Sequence, residues 1–204
     1  MTVVQPAAGA TRDLLLDAAE RMFAERGIHG VSMREIGIAA NQRNNGVTQY
    51  HFGDKTGLIR AVFERRAATV NDERLVLLDT AERAGRGDAR TLIEAYIAPL
   101  AAQVAAGTWY VPFLARLQAE HQRDQLLVPV SAGVNTAYER VRRQLRRDHL
   151  AHLSTQRFAI RWRIALNLAI DALADYQLGD RRASIELFST ELVDAITALL
   201  LGPT

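Results

Sequence analysis

Apolar residues recur at three- and four-residue spacing along most of this chain and nowhere in strict alternation, so the pattern predicts helices and no strands. The first helix is expected from about Thr11, an N-cap, to Arg26. Leu15, Ala18, Ala19, Met22 and Phe23 form its inner stripe. Gly27 follows where a helix C-terminus favours a left-handed residue. Ser32-Met33-Arg34-Glu35 has the form of a capping box, in which a hydroxyl serves the amide three residues on and the glutamate reaches back. Met33, Ile36 and Ala40 then leave one narrow apolar face, hence a short second helix. Asn41 to Asn45 is a polar break where Asn tolerates the left-handed conformation, and a third short helix is expected from about Asn45 to His51. Asp54 is placed to cap a long helix running to about Ala84, with Leu58, Ala61 and Val62 inside.

Beyond it, Gly85-Arg86-Gly87-Asp88 breaks the pattern. A helix from Ala89 to Ala106 should be kinked by Pro99, and the next, Trp109 to about Asp124, carries Pro112 in its tolerant first turn. Pro129 marks another start, with a helix from about Ser131 to His149. Ser154 opens one reaching Leu178, and the last covers about Arg182 to Leu201. The expected architecture is therefore all-α with about nine helices: a three-helix head (residues 1–54) and a larger helical body (residues 55–204). Ala165, Leu166, Leu168, Ala169, Ile170, Ala172, Leu173 and Ala174 make the eighth helix apolar around most of its circumference. The ninth offers Ile185, Phe188, Leu192, Val193, Ile196, Leu199 and Leu200. A body this small cannot bury two such helices on all sides, so a homodimer interface through about residues 154–201 is expected.

Composition narrows the classes. The 204 residues are 49% hydrophobic and 24% charged, ordinary globular usage with room for a core. No apolar run approaches the ~20 residues that span a bilayer, and Met1 to Ala10 lacks the regions of a signal peptide, so the cytoplasm is the default expectation and no membrane partner is foreseen. Zero cysteines exclude disulfides, thiolate metal ligands and a cysteine nucleophile. Net charge is only +2, and residues 1–66 carry nine basic and seven acidic side chains. Any affinity for DNA must then come from local placement, around Arg34, Arg43 and Lys55.

Two short helices joined by a tight turn are a standard way to set a helix in the DNA major groove. The order of pieces is specific: an amphipathic helix ending at Gly27, then Ser32-Met33-Arg34-Glu35-Ile36, then Tyr50-His51-Phe52-Gly53-Asp54-Lys55 entering a long helix. Over roughly residues 11 to 66 this resembles the N-terminal DNA-binding domain of the tetracycline-repressor (TetR/AcrR) family of bacterial transcription regulators. Asn41 stands where the family usually has a glycine, and the turn is one residue longer than its commonest form. The resemblance implies that Tyr50, His51 and Lys55 clamp phosphates and that Arg34 reaches into the groove. By position, Asn44, Asn45, Val47 and Gln49 are the exposed candidates of the recognition helix; Asn and Gln suit adenine and a valine methyl suits thymine. Thr48 and Phe52 are expected to face the core. The resemblance also implies a four-helix dimer bundle, a palindromic operator, a small-molecule effector and, most often, repression.

In the body, Trp109, Phe113 and Leu117 are spaced to line one face. With Tyr138 and Trp162 they could wall an apolar cavity, His121 or Asn167 giving a polar handle. The basic run Glu139 to Asp148 is read as a solvated helix face around Val141 and Leu145. Asp148, His149 and His152 are read as a helix-end surface cluster and not a metal site. No catalytic set, metal site or cofactor motif is recognised, so no enzymatic activity is expected. The reading is a homodimeric, ligand-responsive DNA-binding regulator. Its rival is a helical small-molecule- or partner-binding protein whose head has lost sequence specificity; a metal-dependent enzyme built on His149 and His152 is a distant third.

Overall fold

The computed structural model describes residues 8–42, 44, 46–120, 133–180 and 182–203. Among them are nine α-helices and no strand. In chain order these are α1 (Ala8–Arg26), α2 (Met33–Ala39), α3 (Val47–Phe52), α4 (Lys55–Arg83), α5 (Ala89–Ala105), α6 (Tyr110–Ala119), α7 (Thr136–Gln144), α8 (Thr155–Leu178) and α9 (Ile185–Leu201). The all-α expectation therefore stands. No single helix among the described residues is long and apolar enough to cross a membrane.

Local capping sets most of the starts. Asp54 Oδ1 accepts from the Gly57 amide at 2.7 Å, Asp88 from Thr91, Ser154 from Arg157 and Ser184 from Leu187, each satisfying an otherwise orphaned amide. The last helix thus begins after Ser184 and not at Arg182. Gly27 has φ +78°, as a C-terminal glycine should, and Asn41 takes φ +57° in the turn after α2. Pro99 lies buried inside α5, which continues through it. α6 begins at Tyr110 and its last helical residue is Ala119, short of the expected Asp124; Asp124, Pro129 and Ser131 lie outside the described residues. α7 passes into a wider π turn at Leu145–His149, where the Leu150 amide donates to the Leu145 carbonyl.

The head is closed by Leu15, Leu16, Ala19 and Phe23 of α1, Ile36 of α2, and Leu58, Ile59 and Val62 from the start of α4. Two ionic contacts pin it. Glu20, only 2% exposed, accepts from Arg65 at 2.9 Å and Arg66 at 3.1 Å on α4, and Arg26 pairs with Glu35 at 2.7 Å. In the body α5 is central, packing on α4, α6, α7, α8 and α9, with Leu92, Ile93, Ile97, Leu100 and Val104 buried. α6 also packs on α1 and so joins head to body.

Candidate nucleic-acid interface and effector cavity

The second helix starts as a hydrogen-bonded unit. Ser32 Oγ accepts from the Glu35 amide at 3.2 Å, while Glu35 Oε2 accepts from the Ser32 amide at 2.8 Å and its hydroxyl at 2.7 Å. The Ser32 hydroxyl, Arg26 and the Ser32 amide together hold the Glu35 carboxyl well below its ordinary value, at about 2. α2 and α3 approach closely because Gly37 has no side chain: a Cβ there would lie 3.2 Å from Thr48 Oγ1. Thr48 is fully buried, as expected, and Phe52 is partly buried with the Arg12 guanidinium 5.4 Å from its ring centre.

With Thr48 and Phe52 turned inward, Gln49 and Tyr50 face solvent, and Tyr50 is 86% exposed. His51 is half-buried with its ring edge-on to Tyr50, centroids 5.3 Å apart. Lys55 is the first residue of α4, half-buried, one position after the Asp54 cap. Arg34 is exposed on α2. Gln49, Tyr50, His51 and Lys55 are thus close in sequence at the α3–α4 corner. α3 begins at Val47, and Asn44 precedes it, exposed as expected, its Oδ1 accepting from Gly46 N at 2.9 Å. One candidate needs correction. Val47 is not exposed but packs partly against the core. The helix starts two residues later than expected, with Gly46 at its N-cap position. Asn45 and Arg43 lie outside the described residues.

An open groove of about 1210 Å³ runs between α1 and this turn. Asp17, Arg21, Glu25 and Arg26 line its α1 side, and Asn44, Val47, Tyr50 and His51 line the other. The body holds a second cavity of about 690 Å³ between α4, α5, α6, α7 and α8, within the size range of small-molecule sites. Of the residues expected to line such a cavity, Leu117, Tyr138 and Trp162 do, and Trp162 Nε1 donates to Tyr138 Oη at 2.9 Å. Trp109, Phe113 and Asn167 do not. Trp109 stands at the N-cap of α6 with Arg21 over its ring; Phe113 is fully buried against Phe23 of α1, centroids 6.2 Å apart; and the Asn167 carbonyl accepts from Gln118. His121 lies outside the described residues. The error is geometric: four residues advance a helix by about 400°, so positions 109, 113 and 117 drift by roughly 80° in two steps. Tyr110, Leu114 and Leu117 share the cavity face instead.

Arg74 and Tyr96 were not foreseen. The Arg74 guanidinium lies 3.9 Å from the Tyr96 ring centre, and its Nε donates to the Tyr96 carbonyl at 3.0 Å. A signal existed, since Arg74 falls four residues after Val70 and four before Leu78 on the buried stripe of α4. The adjoining face of α6 holds the head. Arg116 Nε donates to the Ala24 carbonyl at 3.1 Å, and Glu120 Oε1 accepts from the Ile28 amide at 2.8 Å.

Near the π turn, Asp148 pairs with Arg147 and His149 Nε2 lies 2.7 Å from the Gly87 carbonyl. No cluster of three or more His, Cys, Asp or Glu among the described residues is placed to hold a metal ion. Val141 and Leu145 of the basic run are buried.

Together these features define a helix-turn-helix head on a helical body with an internal cavity. Residues 15–62 match the sequence model of the bacterial regulatory proteins, tetR family. That match is confined to the head and the first turns of α4. No curated protein matches the chain. The whole fold is similar to that of the fatty acid degradation regulator FadR from Bacillus halodurans (17% identity, TM-score 0.63, covering 98% of this chain and 97% of that one). It is also similar to the regulator PfmR from Thermus thermophilus (17% identity, TM-score 0.58, 89% and 96% covered). A third similar structure is AibR, solved in complex with isovaleryl coenzyme A and operator DNA (15% identity, TM-score 0.58, 95% and 100% covered).

Proposed function

We propose that this chain is a ligand-responsive transcriptional repressor that binds a palindromic operator as a homodimer, with residues 1–54 as the DNA-binding unit and 55–204 as the effector and dimerisation unit. The observation that carries the reading is the α2–α3 corner. A capped, tightly packed pair of helices presents Gln49 and Tyr50 to solvent beside His51 and Lys55, within a segment matching the tetR family. In this reading Gln49 and Arg34 contact bases, while Tyr50, His51 and Lys55 hold phosphates. Two heads would meet half-sites about one helical turn apart, ~34–36 Å.

The effector side is supported by the cavity and by the double role of α6. A molecule displacing Tyr110, Leu114 or Leu117 would move the helix whose adjoining face grips α1 through Phe113, Arg116 and Glu120. Such coupling requires different affinities for two head arrangements, typically ~1–3 kcal/mol. Selection of bound sequences from a random DNA pool tests the reading. Enrichment of an inverted repeat is expected, and a pool that stays random supports instead a binding protein whose head has lost sequence specificity.

A further inference from the structure

The basic run of α7 divides into three parts by partner. Arg140 is committed to Asp79 and Glu82 of α4, at 2.5 and 2.6 Å, and Arg147 to its neighbour Asp148. Arg142, Arg143 and Arg146 line a groove of about 480 Å³ with Glu139 and Phe158; Arg146 also donates to the Leu150 carbonyl, and Arg142 lies 3.6 Å from Glu139. This groove shares Glu139 and Arg142 with the effector cavity. The two are also joined through their aromatic walls: Phe158 of the groove stacks on Trp162 of the cavity, centroids 6.3 Å apart and planes 13° apart. The Arg142 and Arg146 guanidiniums lie 5.7 and 5.6 Å from the Phe158 ring centre, which holds both positive groups at the junction.

Charge in this region is unbalanced. Arg74, Arg142 and Arg163 line the cavity and Arg143 and Arg146 the groove, against the single carboxylate of Glu139, 3.6 Å from Arg142. Among the described residues Arg74, Arg143, Arg146 and Arg163 form no ion pair. A monocarboxylate engages one guanidinium fork, whereas a phosphate offers oxygens to several at once. The cavity beyond is walled by Tyr96, Tyr138, Trp162, Leu117 and Leu166, a lining suited to an apolar body.

We propose that cavity and groove form one site for an amphiphile with an apolar tail and a phosphorylated, multiply charged head. The tail packs among the aromatic side chains and the head lies against Arg142, Arg143 and Arg146. This rests on the effector reading above and gives the effector its chemical class. Neutral apolar molecules would leave the arginines unused, and cationic ones would be repelled.

The test is titration calorimetry of the full chain with octyl phosphate, octanoate, octanol and octyltrimethylammonium. Octyl phosphate should bind most tightly and the cation least. Replacing Arg142 and Arg143 together by Ala should weaken octyl phosphate roughly tenfold to a hundredfold, as expected for lost charge-assisted hydrogen bonds, and leave octanol unchanged. Arg143→Glu, at an exposed position, should weaken it at least as much without disturbing the fold, which circular dichroism checks; Arg182→Ala, outside the groove, should have no effect. Octanol or the cation binding as tightly as octyl phosphate, no binding of octyl phosphate, or indifference to the arginine variants would each overturn the proposal. Operator affinity measured in the same samples separates the two readings. DNA released by a neutral compound alone keeps the regulator and removes the phosphorylated class. Octyl phosphate bound through the arginines by a chain that selects no DNA sequence does the reverse.

Discussion

Glu35 shows how a single side chain can make the head sensitive to acid. Its carboxylate accepts from the Ser32 amide, the Ser32 hydroxyl and Arg26, and these contacts hold it at about 2 in the folded protein. In the unfolded chain it titrates in the ordinary glutamate range. Between those limits the unfolded state binds more protons, so its contribution is complete above the ordinary range and disappears as pH falls toward about 2. The urea midpoint of wild type should therefore exceed that of Glu35→Ala near neutrality, and the gap should shrink as pH is lowered through 4 toward 3 (roughly the interval between the two values). A gap independent of pH would mean that the carboxylate charge is immaterial. Two neighbours on the proposed DNA surface should behave differently from each other. Lys55→Ala should weaken all sequences alike and flatten the plot of log affinity against log salt by about 0.9, the signature of one lost phosphate contact. Gln49→Ala should instead change preference at particular operator positions, by about 1–3 kcal/mol. Uniform loss across sequences for Gln49→Ala would reassign it to the backbone.

At the scale of elements, what could be read from the sequence depended on whether the determining contact was local. Ser32, Asp54 and Ser154 cap helices with amides three residues away, so those starts were visible in the sequence, as was the end of α1 at Gly27. α7 differs. Its N-cap residue, Asn135, makes no side-chain cap, and the Ala137 amide is served by Asn71 Oδ1 at 2.9 Å from the middle of α4, 66 residues distant. No local pattern could reveal that bond or the start of α7 at Thr136. The cavity was partly legible for the same reason. Tyr138 and Trp162 stood out as large aromatics, but Arg74 and Tyr96 acquire their place only when α4 and α5 pack together. Asn71 is 4% exposed and also accepts from Thr136 Oγ1, so Asn71→Ala leaves a buried amide without a partner. We expect about 1–3 kcal/mol of lost stability, seen as a lower urea midpoint at unchanged slope. A change below about 0.5 kcal/mol would show that water or a shifted α7 replaces the bond.

At the scale of the molecule, the body divides the two last helices into an inner and an outer side. Ala165, Leu166, Ala169, Ile170 and Leu173 of α8 are buried, while Ile160, Ile164 and Leu168, at successive four-residue steps, remain 45%, 48% and 38% exposed. α9 adds Leu187 and Leu201 to the exposed apolar set but turns Leu192, Val193, Ile196 and Leu200 inward. An apolar ridge of this regularity on adjacent helices is the feature behind the proposed dimer. It also separates two substitutions that the sequence alone treats alike. Charge at Leu192, only 6% exposed, must be buried inside one chain and should unfold the body. Ile164→Asp with Leu168→Asp places charge on the outer ridge, so the chain should keep its helical content but sediment as a monomer. Its affinity for a palindromic site should then fall steeply, because one head supplies half the contacts. Analytical ultracentrifugation of wild type at micromolar concentration is the prior measurement: a monomer that still binds an inverted repeat tightly would defeat both the ridge as an interface and any control through the spacing of two heads.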